Sequence, residues 1–212
     1  MKRTKGFTIV ELLVAISVIA VIGAVITEIF SRSLRGGNKA QIIAAVKQNG
    51  QAALESIDKT IRNSDEIVCP IITSSEIIAA GVNPVTKYTD TVAVVKDGVY
   101  TRFRYQVSTV NTNGYIVRDN PVSQGEPQEL FLANICTNTP SASSIPVPIT
   151  DTSSRTGTSV TSLTPNIFTR NKKAGFKDTL TISFNLSPGV SAPAAVAGQI
   201  DPVTFTTTIQ VR

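Results

Sequence analysis

Apolar positions along this chain follow three different patterns. From Phe7 to Ile26 they form one nearly continuous run, FTIVELLVAISVIAVIGAVI, twenty residues in which Glu11 is the only charge. Wound as a helix rising about 1.5 Å per residue, such a run spans roughly 30 Å, the hydrocarbon thickness of a bilayer. Beyond it the apolar residues thin out. Ile42, Ile43, Val46, Ala53, Leu54, Ile57 and Ile61 recur at three- and four-residue intervals, with Gly50 on the same stripe. Lys47, Gln48, Gln51, Glu55, Asp58 and Lys59 fill the other side, so this stretch predicts an amphipathic helix ending near Asn63–Ser64. Gly36-Gly37 stands between the two patterns as a candidate kink.

The third pattern is alternation. Val99 to Ser108 places Val99, Thr101, Phe103, Tyr105 and Val107 on one face and Tyr100, Arg102, Arg104, Gln106 and Ser108 on the other. Asp97-Gly98 before it is a hairpin signal joining it to Thr91–Val95, and Asn113-Gly114 is a second turn before Tyr115–Arg118. Glu129–Ile135, Thr179–Leu186 and Val203–Val211 read as further strands. The expected fold is α+β: a long N-terminal helix on an antiparallel sheet of about five or six strands. Arg102 and Arg104 read as a solvated strand face whose charges discourage edge pairing, or else as a ligand-binding face. From Thr137 to Pro165, 19 of 29 residues are Ser, Thr or Pro, which predicts a long exposed loop, and Ser187–Pro202 reads as a second flexible connector.

Composition narrows the chemistry. His and Trp are absent, which excludes His-ligated metals and Ser-His-Asp or Cys-His catalysis. Nucleotide-binding glycine loops and metalloprotease and nucleophile-elbow motifs are missing too. Ser56-Ile-Asp-Lys59 has the S-x-x-K form of serine acyl enzymes, but it lies in an ordinary amphipathic helix with no supporting motif. No catalytic residue, cofactor or metal ligand is expected. Two cysteines, Cys69 and Cys136, form an even set that an exported domain can bridge; two buried free thiols are the alternative.

Before the apolar run stands MKRTKG, with Lys2, Arg3 and Lys5. Positive residues stay cytoplasmic, so the rest of the chain is expected outside. A cleaved secretory signal would have a shorter apolar stretch and a small-x-small site, which does not follow here. A plain signal anchor fits the hydropathy but leaves Glu11 unexplained, because a carboxylate within a span costs a few kcal/mol unless paired or near the interface. A capping box, Thr8 to Glu11, accounts for the carboxylate but for neither the leader nor the span.

The string KGFTIVELLVAISVIAVIGA closely resembles the cleavage and methylation signal of type IV prepilins and type II secretion pseudopilins: a basic leader ending in Gly6, then Phe7, Thr8, Glu11 and an apolar helix. The resemblance implies cleavage between Gly6 and Phe7 on the cytoplasmic side by a prepilin peptidase, and methylation of the new Phe7 amine. It also implies that the helices bundle in a filament core. There Glu11 would meet the Phe7 amine of a neighbouring subunit and set the axial stagger. The implied organisation is a leader over 1–6, a transmembrane and assembly helix over 7–30, its amphipathic continuation over 31–66 and an exported β-rich domain over 67–212.

The implied partners are the peptidase, other pilin or pseudopilin subunits, an inner-membrane assembly platform with its ATPase, and membrane lipid before assembly. The implied location is the cytoplasmic membrane, single-pass with its N-terminus inside, and then a filament. The segment Lys47–Val68, with its Gln-rich turn, Ala53-Leu54 and Ile61-Arg62, is similar to J-type minor pseudopilins and W-type minor pilins, which points to a minor, tip-type subunit. The alternative is a single-span anchored binding protein that forms no filament. Without the leader the formal charge falls from +5 to +2, so no electrostatic case for nucleic acid remains.

Overall fold

The computed structural model describes residues 8–140, 143–163, 166–193, 198 and 200–211. Helix α1 runs Ile9–Arg62, continuous through Gly36 and Gly37. The chain divides into two units, at Ile42/Ile43. In the first, no described side chain is buried: large apolar residues from Ile9 (80% exposed) to Phe30 (63%) and Leu34 all face outward. A helix apolar all round yet unburied has the character of a membrane span. Of the described helices, it is the one long and apolar enough to cross a bilayer.

In the second unit the remainder of α1 buries a single stripe, Val46, Gly50, Ala53, Ile57 and Ile61. The helix stops where Ser64 folds back, its Oγ donating to the Ile61 carbonyl at 2.6 Å. Gly50 is the point of closest approach. A Cβ there would stand 2.3 Å from the Phe205 ring and 2.7 Å from Leu186 Cδ1. Gly50→Val is therefore expected to cost about 1–3 kcal/mol through overpacking, read as a lowered urea midpoint of the full chain in detergent. An unchanged midpoint would show that the helix is free to lift off the sheet.

The remaining elements, in order, are β1 (Glu66–Cys69), α2 (Ser74–Ala80), β2 (Val85–Thr89), β3 (Thr91–Lys96), β4 (Val99–Gln106), β5 (Tyr115–Asp119), α3 (Gln128–Ile135), β6 (Val147–Pro148), β7 (Thr158–Ser162), β8 (Phe168–Lys172), β9 (Thr179–Pro188) and β10 (Val203–Gln210). All pairings among them are antiparallel. The α+β layout, a long N-terminal helix followed by an antiparallel β domain, is as expected. The Asp97-Gly98 hairpin forms, with both residues at positive φ and Lys96 paired to Val99.

The strands form two sheets rather than one. The first has the order β1-β3-β4-β5-β6; the second has the order β10-β9-β8-β2, with β7 also on β9. Half of the second sheet comes from segments read as loop or left unassigned. β7 lies inside the Ser/Thr/Pro-rich stretch, and its Thr158, Ser159 and Val160 are buried. Ser187 and Pro188, assigned by sequence to a connector, extend β9 against Ser159 and Thr158. Thr and Ser suit a pleated surface wherever a neighbouring strand supplies the hydrogen bonds, and that neighbour lies more than twenty residues away in sequence.

The run Glu129–Ile135, expected to be a strand, lies in helix α3. Short apolar runs are ambiguous by period. Here Phe131 and Ile135, four apart, are the buried pair, and they pack on Cys69 and Ala93 of the first sheet.

Candidate functional site

The N-terminal segment offers one described cluster. Thr8 and Glu11 form a reciprocal cap. The Thr8 N–H and O–H donate to Glu11 Oε2 at 2.9 and 3.0 Å, and the Glu11 N–H donates back to Thr8 Oγ1 at 3.2 Å. Two otherwise orphaned donors are satisfied at the start of the helix. Both residues are exposed. A carboxylate is thereby anchored at the outer end of an apolar cylinder, with Ile9, Val10, Leu12 and Leu13 exposed around it. Gly6 and Phe7, the expected cleavage and methylation residues, lie outside the described residues.

In the β domain, Cys69 at the end of β1 is disulfide-bonded to Cys136, the residue capping α3. The bond crosses the face of the first sheet that α3 covers. Beside it, β4 and β5 hold a charge cluster that sequence reading placed in solvent. Arg102 and Arg104 are each 1% exposed.

Arg102 lies opposite Asp119 in the β4–β5 register, and the pair is bidentate: Nε to Oδ1 at 2.9 Å and Nη2 to Oδ2 at 2.7 Å. Arg104 Nη2 reaches the same Oδ2 at 3.2 Å. The remaining donors fasten the end of α3. Arg102 Nη1 donates to the Ile135 and Thr137 carbonyls, and Arg104 Nη1 to that of Asn138. Arg104 Nε is buried with no hydrogen-bond partner among the described residues. Burial pushes the Arg104 guanidinium pKa below its usual value; Asp119 opposes that and Arg102 adds to it.

Two cations on one anion are thus buried where α3, β4 and β5 meet. The alternation of β4 put the two arginines on one face, and that much was legible. Asp119 sits at the end of a separate strand, directly after Arg118, and nothing in its local sequence marks it as the partner of two arginines on β4. A third buried arginine, Arg170 on β8, is paired to Asp178 and donates to the Pro70 carbonyl at 2.6 Å, tying the second sheet to the segment that follows β1. Arg102 also lines a cavity with Glu126 and Phe131, but each of the three arginines is held by a carboxylate and a backbone carbonyl and acts as a fastener.

The family model described as the prokaryotic N-terminal methylation motif matches residues 1–27. The chain therefore carries the type IV prepilin and pseudopilin signal. The comparisons with curated proteins and with solved structures found no match. Together with the apolar helix, the motif supports a membrane-anchored, single-span, pilin- or pseudopilin-like subunit. It implies processing by a peptidase and association with other pilin subunits, and points to a structural subunit rather than an enzyme.

Proposed function

We propose that this protein is a minor, tip-type subunit of a type IV pilus or type II secretion pseudopilus, cleaved between Gly6 and Phe7 and methylated on Phe7. The observation that carries this reading is the methylation motif over residues 1–27, running directly into a helix whose large apolar side chains from Ile9 to Leu34 are all exposed. A soluble protein cannot leave such a helix bare in water. A lipid bilayer first, and neighbouring helices of the same kind later, supply the missing apolar surroundings. Cutting ahead of Phe7 keeps the whole apolar surface on the mature chain and discards three cations, which leaves a formal charge of +2.

Glu11 then has a specific task. In lipid or in a helix bundle an unpaired carboxylate is heavily penalised. The Phe7 amine of the adjacent subunit neutralises it only at one axial stagger, and so selects that stagger. The minor-subunit reading rests on the segment Lys47–Val68 and on the position of the cysteine bridge, which fastens the start of the domain instead of a loop near its end.

Two measurements test this. Intact-mass and N-terminal fragment spectra of the protein from membranes should begin at a methylated Phe7. Gly6→Val should leave residues 1–6 attached, because a branched side chain blocks close approach of the peptidase to the backbone. An intact Met1 in the wild type would instead indicate a plain anchored binding protein. Glu11→Ala should be processed normally and yet be lost from sheared filaments, by at least about tenfold if the pair contributes 1.4 kcal/mol or more. Undiminished incorporation of Glu11→Ala would rule out the pairing role.

A further inference from the structure

The two strand orders end on β1, β6, β2 and β10. Three of these outer strands are guarded and β10 is not. β1 is four residues long, carries Glu66 and is bulged between Ile67 and Cys69. β6 is two residues long and contains Pro148. β2 follows Pro84 and carries Lys87. Such features keep a stray strand from adding to an edge. β10 has none of them. It holds eight residues, VTFTTTIQ, with no charge and no proline, in unbroken register with β9 from Val203 to Gln210. Among the described strands only β9 pairs with it.

The ladder fixes which backbone groups of β10 are free. The Val211 N–H donates to the Asp178 carbonyl, one step beyond the paired residues. Hydrogen-bonded pairs alternate along antiparallel strands. Val203, Phe205, Thr207 and Ile209 therefore turn their N–H and C=O groups to β9, and those of Thr204, Thr206, Thr208 and Gln210 point out of the sheet. A groove of about 790 Å³ follows this edge, lined by all five residues from Val203 to Thr207 and by Lys47, Leu54, Glu55, Asp58 and Arg62 of α1. A sheet face shows alternate residues; five in succession place the groove along the strand's edge. The inward row is also unfinished there. On β9, Ile182, Phe184 and Leu186 are fully buried, but their cross-strand partners Thr207, Phe205 and Val203 are only half-buried.

We propose that the β10 edge takes up an extended peptide segment of a partner protein as an added strand, uncharged and with apolar residues at alternate positions. Main-chain donors alternating with acceptors are matched by another extended main chain, whereas a phosphate backbone offers acceptors only. Alternate side chains of the guest then lie over Phe205 and Leu54 and complete the inward row. The others lengthen the hydroxyl row of Thr204, Thr206 and Thr208. Charge selects against an ionic guest. β10 has none, and the α1 wall carries two cations and two anions, with Arg62 bound to Asp58 at 2.7 Å. β9 shows the pattern that β10 accepts: TLTISFNL over 179–186 sets Leu180, Ile182, Phe184 and Leu186 inward and Thr, Ser and Asn outward. The groove lies wholly in the second unit, so strand uptake is independent of cleavage and filament formation.

The test is the fluorescence anisotropy of a fluorescein-labelled peptide TLTISFNL titrated with the full-length protein in detergent, against detergent alone. The wild type should bind it, and amide hydrogen exchange over residues 203–210 should slow in the complex. Thr206→Pro deletes one outward N–H and leaves the bonds to β9 in place, as an edge strand tolerates. Its affinity for the peptide should fall about tenfold or more. Thr206→Val loses the hydroxyl, keeps the N–H, and should bind like the wild type. The urea midpoint of each variant, measured alongside, separates lost binding from lost fold. No binding by the wild type, unchanged exchange over 203–210, or equal binding by a folded Thr206→Pro would overturn the proposal. So would self-association of the wild type that Thr206→Pro abolishes, because the edge would then belong to a second copy.

Discussion

Asp119→Ala is expected to unfold the β domain or bring it to the edge of unfolding. The substitution leaves Arg102 and Arg104, each 1% exposed, buried beside each other with no carboxylate between them. Breaking a buried ion pair from one side costs about 3–5 kcal/mol, because the remaining charge is neither solvated nor compensated. Here one carboxylate answers two guanidiniums, so the loss should reach the upper part of that range. Whole domains are stable by only about 5–15 kcal/mol.

Urea denaturation of the full chain in detergent checks this. Replacing all three groups by leucine or methionine should recover most of the loss, since removing an entire buried ionic cluster is frequently neutral. If Asp119→Ala kept the wild-type midpoint, the arginines would have to be reaching water by a route that their burial denies.

Replacing Cys69 and Cys136 together by alanine should cost roughly 4 kcal/mol by the chain-entropy estimate for a bridge between residues 67 apart. The bridge holds the end of α3 to β1, and the Arg102 and Arg104 hydrogen bonds to the Ile135, Thr137 and Asn138 carbonyls hold the same turn to β4. The two fasteners share a partner, so their losses should not add. Removing the disulfide should expose the α3 segment to proteases first, and a reductant should reproduce the effect on the wild type. Equal proteolysis of α3 in oxidised and reduced protein would show that the arginines alone hold it.

Both fasteners converge on an element that sequence reading assigned to the wrong class. QELFLANI is short, and its apolar residues satisfy a strand or a helix about equally; Phe131 and Ile135 settle the matter only once there is a surface to bury them. That misassignment carried over to Arg102 and Arg104. Alternation along β4 placed them correctly on one face. Which face meets water depends on whether something covers it, and the cover, α3, begins more than twenty residues further along the chain. The same holds for β7. Its Ser and Thr composition is that of a loop until β9 lies beside it.

What the sequence determined by itself is everything that depends on neighbours within a few residues: the basic residues ahead of the apolar run, the methylation motif, the Thr8–Glu11 spacing, the length of the apolar run and the amphipathic stripe from Val46 to Ile61. Hydropathy and helical period act locally, so a membrane span and a processing signal can be read without a fold. Tertiary structure decided which polar residues are buried and which form a surface. Arg102, Arg104 and Arg170 went inside because Asp119, Asp178 and the α3 carbonyls came to meet them. The threonines of β9 and β10 became an uncharged outer face because the same strands buried Leu180, Ile182, Phe184 and Leu186 against the core. Burial is a property of pairs of segments far apart in sequence, and the free energy that assigns it appears only when those segments touch.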